Sequence, residues 1–138
     1  ELEFAADVIP AINIYGSFQY VKAQFREGLN SGQRIPLVPN YNARLGMDYK
    51  LNNNQKFGVT TRYVASQKSD GDFDGSAIRI PGYAITDISY SAQYKNWLWT
   101  AYASNIFDKK YYSWANIWGS VYPDSGLSLK IVGRYTFK

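Results

Sequence analysis

The sequence predicts an all-β fold, an antiparallel up-and-down sheet of about eight strands that suits a transmembrane β-barrel. Three observations predict it. Apolar and polar residues alternate along most of the 138 residues, which is the period of a strand with two different faces. Most alternating segments reach the about 9 to 11 residues that a tilted strand needs to cross a bilayer. The 13 Tyr and 4 Trp residues are side chains that collect where an apolar phase meets water.

Four alternating segments fill the first half of the chain, at residues 1–8, 11–25, 41–51 and 56–64. The alternation is clearest in the third segment, where Leu45 and Met47 face one way and Arg44 and Asp48 face the other. The first segment alternates from its first residue, so we interpret it as the continuation of a strand that began upstream. This half of the chain therefore predicts four antiparallel strands.

Four further segments complete the predicted sheet, at residues 83–94, 97–107, 111–122 and 127–137. Gly, Pro, Asn and Asp residues between the segments favour turns. The predicted turns centre near Pro10, Asn53, Lys95, Lys109 and Asp124. Two longer polar connectors, 26–40 and 66–82, interrupt the series. No helical period occurs in the sequence, and residues 1–138 are predicted to form a single β-barrel segment.

The alternation leaves open which face of the sheet is inside. In a soluble, lipocalin-like binding barrel the apolar faces form the core, whereas in a membrane barrel they meet lipid and the polar faces line the lumen. Strand length and the number of aromatic residues favour the membrane barrel. The predicted lumen-facing polar residues are Arg44, Asp48, Arg62, Asp87, Lys130 and Arg134.

The absence of His and Cys from the sequence excludes several kinds of chemistry. Conventional Ser-His-Asp and Cys-His catalysis, disulfides and most zinc sites need one of these two residues. We therefore predict no enzyme activity, no catalytic residue and no cofactor. The acidic stretch with Asp70, Asp72 and Asp74 could gather oxygen atoms around a calcium ion, but it lacks a bidentate Glu. We expect a solvated, flexible loop there and no metal site.

Charge and aromatic content raise two binding hypotheses. The net charge is +4, but the cations are spread over several strands, so nucleic-acid binding is not expected. Trp114, Trp118 and Tyr122 share one face of the predicted strand 111–122 and could stack on a ligand at a barrel mouth. Packing of the three rings within the protein is the simpler interpretation of the same pattern.

Three motifs resemble those of TonB-dependent outer-membrane receptors. The Asn-Leu-Phe-Asp-Lys-x-Tyr signature near the C-terminus of that family is matched by Asn105-Ile106-Phe107-Asp108-Lys109-Lys110-Tyr111. Its Pro-Gly-Tyr-x-x-x-Asp-Leu strand opening is matched by Pro81-Gly82-Tyr83, followed by Asp87-Ile88. Its terminal strand is similar to Gly133-Arg134-Tyr135-Thr136-Phe137. The motifs stand in family order, and the resemblance covers essentially the whole chain.

The resemblance implies the last eight strands of a 22-stranded barrel with a plugged lumen. Such receptors are multi-pass proteins of the outer membrane of Gram-negative bacteria, and they import scarce ligands such as ferric siderophores. TonB drives the import by gripping a TonB box on the plug domain, and this chain shows neither plug nor box. The implied partners are outer-membrane lipid, the rest of the barrel, the plug, TonB through the plug, and a ligand that the basic residues suggest is anionic.

The resemblance assigns a structural role to the turn motif. A polar turn before the last two strands is expected to contain Asn105, Phe107, Asp108 and Tyr111. Asn and Asp suit this position because their side chains bond to nearby backbone groups and tolerate left-handed conformations. Phe107 and Tyr111 are expected to pack around the corner.

The resemblance also gives the last strand a role in assembly. Tyr135 and Phe137 match terminal aromatic residues that the barrel-assembly machinery is thought to read. Gly133 shares their face and would let a side chain of the partner approach closely. The chain continues to Lys138, whereas the family usually ends on the aromatic residue itself.

Two alternatives to part of a receptor remain open on the sequence. One is a complete eight-stranded outer-membrane barrel with a structural or adhesive role, since eight strands can close around a filled interior. The other is the soluble binding barrel. With eight strands and Lys138 in the periplasm, strand parity also places the connectors 26–40 and 66–82 on the periplasmic side, although barrels usually keep long loops outside.

Overall fold

The computed structural model describes residues 1–137, so the expected periplasmic position of Lys138 lies outside the described residues. This part of the chain is built of strands and contains no helix long and apolar enough to cross a membrane. The strands are β1 (Leu2–Ile9), β2 (Ile12–Tyr20), β3 (Tyr41–Asn52), β4 (Gln55–Val64), β5 (Tyr83–Tyr94), β6 (Trp97–Ser104), β7 (Tyr112–Ala115), β8 (Val121–Pro123) and β9 (Ser128–Tyr135).

Seven strands form one antiparallel sheet in the order β1-β2-β3-β4-β5-β6-β9. From β1 to β6, each strand pairs with the next one in the chain, as predicted. β9 then pairs with β6, from Trp97 opposite Tyr135 to Ser104 opposite Ser128. Within residues 1–137, β1 and β9 each have one neighbour, so the sheet has two free edges. The all-β, antiparallel, up-and-down fold class is confirmed.

The predicted strand 111–122 is wrong, because this segment folds back on itself. Within the described residues, β7 and β8 pair with each other and form a small hairpin outside the sheet. The side-chain oxygen of Asn116 starts the turn by accepting hydrogen bonds from the amides of Trp118 at 3.1 Å and Ser120 at 2.9 Å. Gly119 completes the turn with a φ of 83°, in the region that glycine tolerates best.

Short turns join the strands at one end of the sheet, which we call the short-turn end. They connect β1 to β2, β3 to β4 and β5 to β6. The turns predicted near Pro10, Asn53 and Lys95 are confirmed there. The turns predicted near Lys109 and Asp124 lie within a loop instead, because the segment between them is not part of the sheet.

Long loops leave the opposite end of the sheet, the long-loop end. They are loop A (21–40), loop B (65–82) and loop C (105–127). β9 ends beside a short turn, where the Thr136 amide donates to the Asn96 carbonyl at 2.9 Å. The expectation that the long connectors share a side with the end of the last strand is wrong, because it counted eight strands in the sheet instead of seven.

The register of the strands separates a polar face from an apolar face. Arg44 stands opposite Arg62, and Asp87 stands opposite Thr60. Following the pairs across the sheet places all six predicted polar residues on the polar face. This placement follows from the period of two along each strand, which the sequence already displayed.

The apolar face carries no covering core in the described part of the chain. Leu129 and Ile131 on this face are 77% and 74% exposed. The buried apolar residues gather instead at the long-loop end, and they are Ala65, Ile80, Ile85 and Ala115. A soluble barrel would bury its apolar faces, so the soluble alternative is not favoured.

Aromatic side chains border the apolar face at both ends of the sheet. Near the long-loop end, the ring of Tyr41 stacks between those of Phe18 and Tyr63, with centroids 6.3 and 5.8 Å away. At the short-turn end, the rings of Trp97 and Tyr135 lie 5.0 Å apart. An apolar surface bordered by two aromatic bands is the pattern of a membrane-facing surface.

Gly133 makes room for a neighbour within the chain. The glycine lies opposite Trp99 of β6, and a Cβ atom at position 133 would lie 2.6 Å from Cζ3 of that indole. The expectation that Gly133 admits a side chain of a partner is therefore corrected, because Trp99 already fills the space.

Candidate functional site

A groove runs across the polar face below the long-loop end, from β2 to β6. It has a volume of about 410 Å³, and we call it the polar groove. Its lining includes Tyr15, Arg44, Asp48, Thr60, Arg62 and Asp87. The structure thus brings together four of the six predicted polar residues. The other two, Lys130 and Arg134, lie on the same face but farther along the sheet, on β9.

Tyr15 fixes the shape of the polar groove, a role that was not predicted from the sequence. Its ring lies over Gly46, where a Cβ atom would overlap the ring. Its hydroxyl oxygen lies 2.8 Å from Thr60 Oγ1, so the side chain crosses from β2 over β3 to β4. The guanidinium carbon of Arg44 lies 5.8 Å from the ring centroid, within cation–π range. The glycine in the polar series of β3 is the sequence signal for such a close approach.

Charges in the polar groove are unevenly paired. Asp48 forms an ion pair with a lysine of β4 at 2.8 Å, and Asp87 accepts a hydrogen bond from the Asn105 amide at 2.8 Å. Arg44 and Arg62 stand side by side on β3 and β4, where like charges repel. Among residues 1–137, neither arginine forms an ion pair with a carboxylate. The two neighbouring arginines therefore form a positively charged part of the groove, which suits an anionic group.

Asn105 closes the base of loop C. The residue is 3% exposed and has a φ of 51°. Its side-chain amide donates to the carbonyls of Lys109 at 2.9 Å and Ser125 at 3.2 Å. Its side-chain oxygen accepts from the Lys109 amide at 2.9 Å. Because these bonds join the two ends of the loop, we call Asn105, Asp108, Lys109, Ser125 and Leu127 the loop C clasp.

Asp108 supplies the second half of the clasp. Its Oδ1 accepts a hydrogen bond from the Leu127 amide at 3.0 Å, and its Oδ2 lies 2.8 Å from Nζ of Lys110. The hydrogen bond from Lys110, and then that from the Leu127 amide, hold the pKa of Asp108 below its usual value. The motif stands before one further strand of the sheet, β9, and not before two as expected.

The two aromatic residues of the turn motif lie in different surroundings. Tyr111 packs against Tyr83, with ring centroids 4.3 Å apart. Phe107 is 76% exposed, so the expectation that it packs around the corner is wrong. The reason is a tight turn, in which the Asp108 amide donates to the Asn105 carbonyl at 2.8 Å. Phe107 is a central residue of that turn and projects from it.

We expect the clasp to weaken in acid. Because the pKa of Asp108 is lowered, its ionised form stabilises the folded loop. That contribution is complete above the ordinary aspartate pKa, and it is lost as the pH falls through the lowered pKa. Hydrogen exchange at the Leu127 amide should therefore lose protection over this acid range, and Asp108→Asn should remove the pH dependence. Protection that stays constant in the wild type would contradict this role.

Loops B and C pack on each other beyond the end of the sheet. The Asp70 amide donates to the Ala115 carbonyl at 2.7 Å, and the Ile117 amide donates to the Asp70 carbonyl at 3.1 Å. The side chain of Gln67 donates to the Ser113 carbonyl at 2.9 Å. Gln67 and Ala115 are both buried. The two loops therefore form one packed unit.

The acidic stretch of loop B is ordered by its own side chains. Asp72 is 1% exposed, and its Oδ1 accepts from the Gly75 amide at 2.8 Å. Asp74 is exposed and accepts from the Ser76 amide at 2.9 Å. Hydrogen bonds from Ser76 lower the pKa of Asp74. The expectation of a solvated, flexible loop is wrong for Asp72, because its buried carboxylate holds the turn.

The three aromatic residues considered for ligand stacking belong to the β7–β8 hairpin of loop C. Trp114 and Tyr122 pack on each other with ring centroids 4.8 Å apart. Trp118 lies at the tip of the hairpin and is 84% exposed. Its neighbour Ile117 lies against Gly71 of loop B. The structure thus brings two of the three rings together and holds the third apart, in solvent.

Comparison with known proteins gives one family match and several structural matches. The family model for the TonB dependent receptor-like β-barrel matches residues 1–106. The ferric yersiniabactin uptake receptor FyuA from Yersinia pestis aligns with a TM-score of 0.84 and 21% identity, over 99% of this chain and 22% of that chain. The closed form of the ferric-catecholate import receptor Fiu from E. coli K12 aligns with a TM-score of 0.77 and 21% identity, over 95% and 19%.

A third solved structure agrees with these two. The siderophore receptor PiuA from Acinetobacter baumannii aligns with a TM-score of 0.79 and 18% identity, over 95% of this chain and 20% of that chain. The chain spans about a fifth of the length of the three receptors. At these identities the alignments show a shared fold.

Proposed function

The chain belongs to the TonB-dependent receptor-like β-barrel family, and from this premise we propose that it forms part of the wall of an outer-membrane receptor. The receptor would import a scarce ligand, such as a ferric siderophore, with energy supplied through TonB. The family match over residues 1–106 carries the proposal. The three matched structures are receptors named for siderophores or for the uptake of ferric ligands, and none is an enzyme by its name.

The free edges of the sheet support a place in a larger wall. In a bilayer, no water satisfies the backbone N–H and C=O groups of β1 and β9, so these groups need partner strands. Further strands of the same receptor barrel would provide the partners. The apolar face would then meet outer-membrane lipid. The polar face would line a lumen filled by a plug domain, which would carry the TonB box.

We further propose that the long-loop end faces the outside of the cell and the short-turn end faces the periplasm. Outer-membrane barrels have short periplasmic turns and longer outer loops. All three long loops leave the same end of the sheet, which supports this orientation. It also removes the conflict that an eight-stranded count created.

The long-loop end would contribute to ligand binding. Trp114, Trp118 and Tyr122 would offer aromatic surface in loop C, and Trp118 is already exposed without a ring partner among residues 1–137. Arg44 and Arg62 in the polar groove would attract an anionic ligand that enters from the long-loop end. Carboxylates of a plug domain are the other groups that could neutralise these two arginines.

The last strand would carry the assembly signal. Beside the short-turn end, the rings of Tyr135 and Phe137 pack edge to face, with centroids 4.8 Å apart. β9 is exposed along its length and has a free edge, which another protein can extend by strand addition. Gly133 would contribute by leaving the space that the Trp99 indole occupies beside β9, and so by shaping the surface that the barrel-assembly machinery meets.

Uptake by iron-starved cells tests the proposed function. Deleting the gene that encodes this chain is expected to abolish uptake of one radiolabelled ferric siderophore from a panel. A strain that keeps this gene but lacks TonB should also fail to take up the same siderophore. Unchanged uptake of the whole panel in the gene deletion would contradict import of siderophores. Uptake that continues without TonB would contradict the source of energy.

A further inference from the structure

Two motifs that lie far apart in the sequence meet in the structure. The first is the strand opening around Tyr83 and Asp87 on β5, and the second is the turn motif that begins at Asn105. Asp87 Oδ1 accepts a hydrogen bond from the Asn105 amide at 2.8 Å. The Ile106 amide donates to a β5 carbonyl, that of Thr86, at 2.9 Å. These bonds, together with the ring contact of Tyr83, attach the start of loop C to β5.

Asp87 lines the polar groove and also forms a hydrogen bond with loop C. Its side chain lines the polar groove together with Arg62 of the neighbouring strand. Its hydrogen-bond partner, the Asn105 amide, belongs to a residue that is 97% buried, since its exposed fraction is 3%. A carboxylate that is open to the groove therefore accepts a hydrogen bond from a buried backbone amide.

The position of Asn105 depends on this bond. A buried amide without an acceptor is strongly unfavourable, and Asn105 already adopts a left-handed φ of 51°. From that position its side chain holds Lys109 and Ser125 together. The clasp in turn fixes both ends of loop C, which carries the β7–β8 hairpin and the ring pair of Trp114.

We propose that Asp87 is a positioning residue, which fixes loop C and its aromatic hairpin from inside the polar groove by holding the Asn105 amide. A ligand or protein group that engages the Asp87 carboxylate in the groove thereby acts on loop C at the outer end. The effect of Asp87 on ligand binding rests on the proposed function. The positioning itself does not, because it can be measured without a ligand.

The test uses the assembled protein in detergent micelles, with hydrogen exchange and fluorine NMR of 5-fluorotryptophan. Asp87→Ala is expected to speed exchange at the Asn105, Lys109 and Leu127 amides by about tenfold, and to shift the Trp114 resonance. Trp97 and Trp99, which lie at the short-turn end, are internal controls and should stay unchanged. Asp87→Asn keeps an oxygen acceptor and should restore protection to within about threefold of the wild type.

Asp48→Ala is the matched control, because Asp48 is a carboxylate of the same groove without a hydrogen bond to the clasp among residues 1–137. It should leave the clasp amides and Trp114 unchanged. The proposal is overturned if Asp87→Ala leaves them unchanged, if Asp48→Ala has an equal effect, or if strands β3 and β4 lose protection to the same degree. Should Asp87→Ala not fold, Asp87→Ser, whose hydroxyl is too short to reach Asn105, serves with the same criteria.

Discussion

Replacing Asn105 by Ala is expected to destabilise the long-loop end by roughly 3 kcal/mol. The substitution removes three hydrogen bonds that join the ends of loop C. It leaves the carbonyl of Ser125 and the amide and carbonyl of Lys109 without these partners. Alanine also tolerates the φ of 51° less well than asparagine does. Denaturant-dependent hydrogen exchange of loop C amides measures the loss.

Two companion variants separate the causes. Asn105→Gly relieves the backbone strain but not the lost hydrogen bonds, so it should recover only a minor part of the stability. Asn53→Ala changes an exposed asparagine in a turn at the short-turn end, and its effect should stay within about 0.5 kcal/mol. If Asn105→Ala proves as mild as Asn53→Ala, the clasp does not hold loop C.

Ile131→Lys is expected to lower the free energy of unfolding in a bilayer by about 2 kcal/mol or more. Ile131 lies midway along β9 on the apolar face and is 74% exposed. In a lipid-facing position its replacement would place an ammonium group among acyl chains, where hydration is lost. Denaturant unfolding of the assembled protein in lipid vesicles measures the change in free energy.

The neighbouring residue supplies the control. Val132 lies on the polar face, opposite Thr100, so Val132→Lys should change the stability by no more than about 0.5 kcal/mol. The two variants carry the same charge at adjacent positions and differ in the face that receives it. Equal effects, or a larger effect at Val132, would show that the apolar face does not meet lipid.

Alternation along the strands made the two faces predictable. Leu45 and Arg44 are adjacent in sequence and fall on opposite faces, as a period of two requires. Turns at Pro10, Asn53 and Lys95 were equally local, because two-residue turns are encoded by the residues within them. A slip by one residue would exchange the two faces, so the alternation also excludes every odd shift of the register.

The segment 111–122 shows where local pattern misleads. Side chains around Tyr112 and Trp114 alternate as regularly as those of a strand in the main sheet. A strand of a separate hairpin has the same period of two. The turn depends on one side chain, Asn116, and on the positive φ of Gly119. Both residues were visible in the sequence, but their effect on the strand count became clear only from the pairing of β9 with β6.

The clasp could be predicted only in part. The side chains of Asn105 and Asp108 were expected to bond to nearby backbone, and the bond to Lys109 agrees with this. The bonds to Ser125 and Leu127 span the whole of loop C, and they depend on where the loop returns. No short-range pattern encodes such a return, and the same applies to the contact between Asp87 and Asn105.

The direction of the outermost strands limits how the sheet can close. β1 and β9 both run from the long-loop end to the short-turn end. Brought edge to edge, they would form a parallel ladder, whereas all six pairings within the sheet are antiparallel. A cylinder that is antiparallel throughout can therefore be completed from this sheet only by inserting an odd number of strands between β9 and β1.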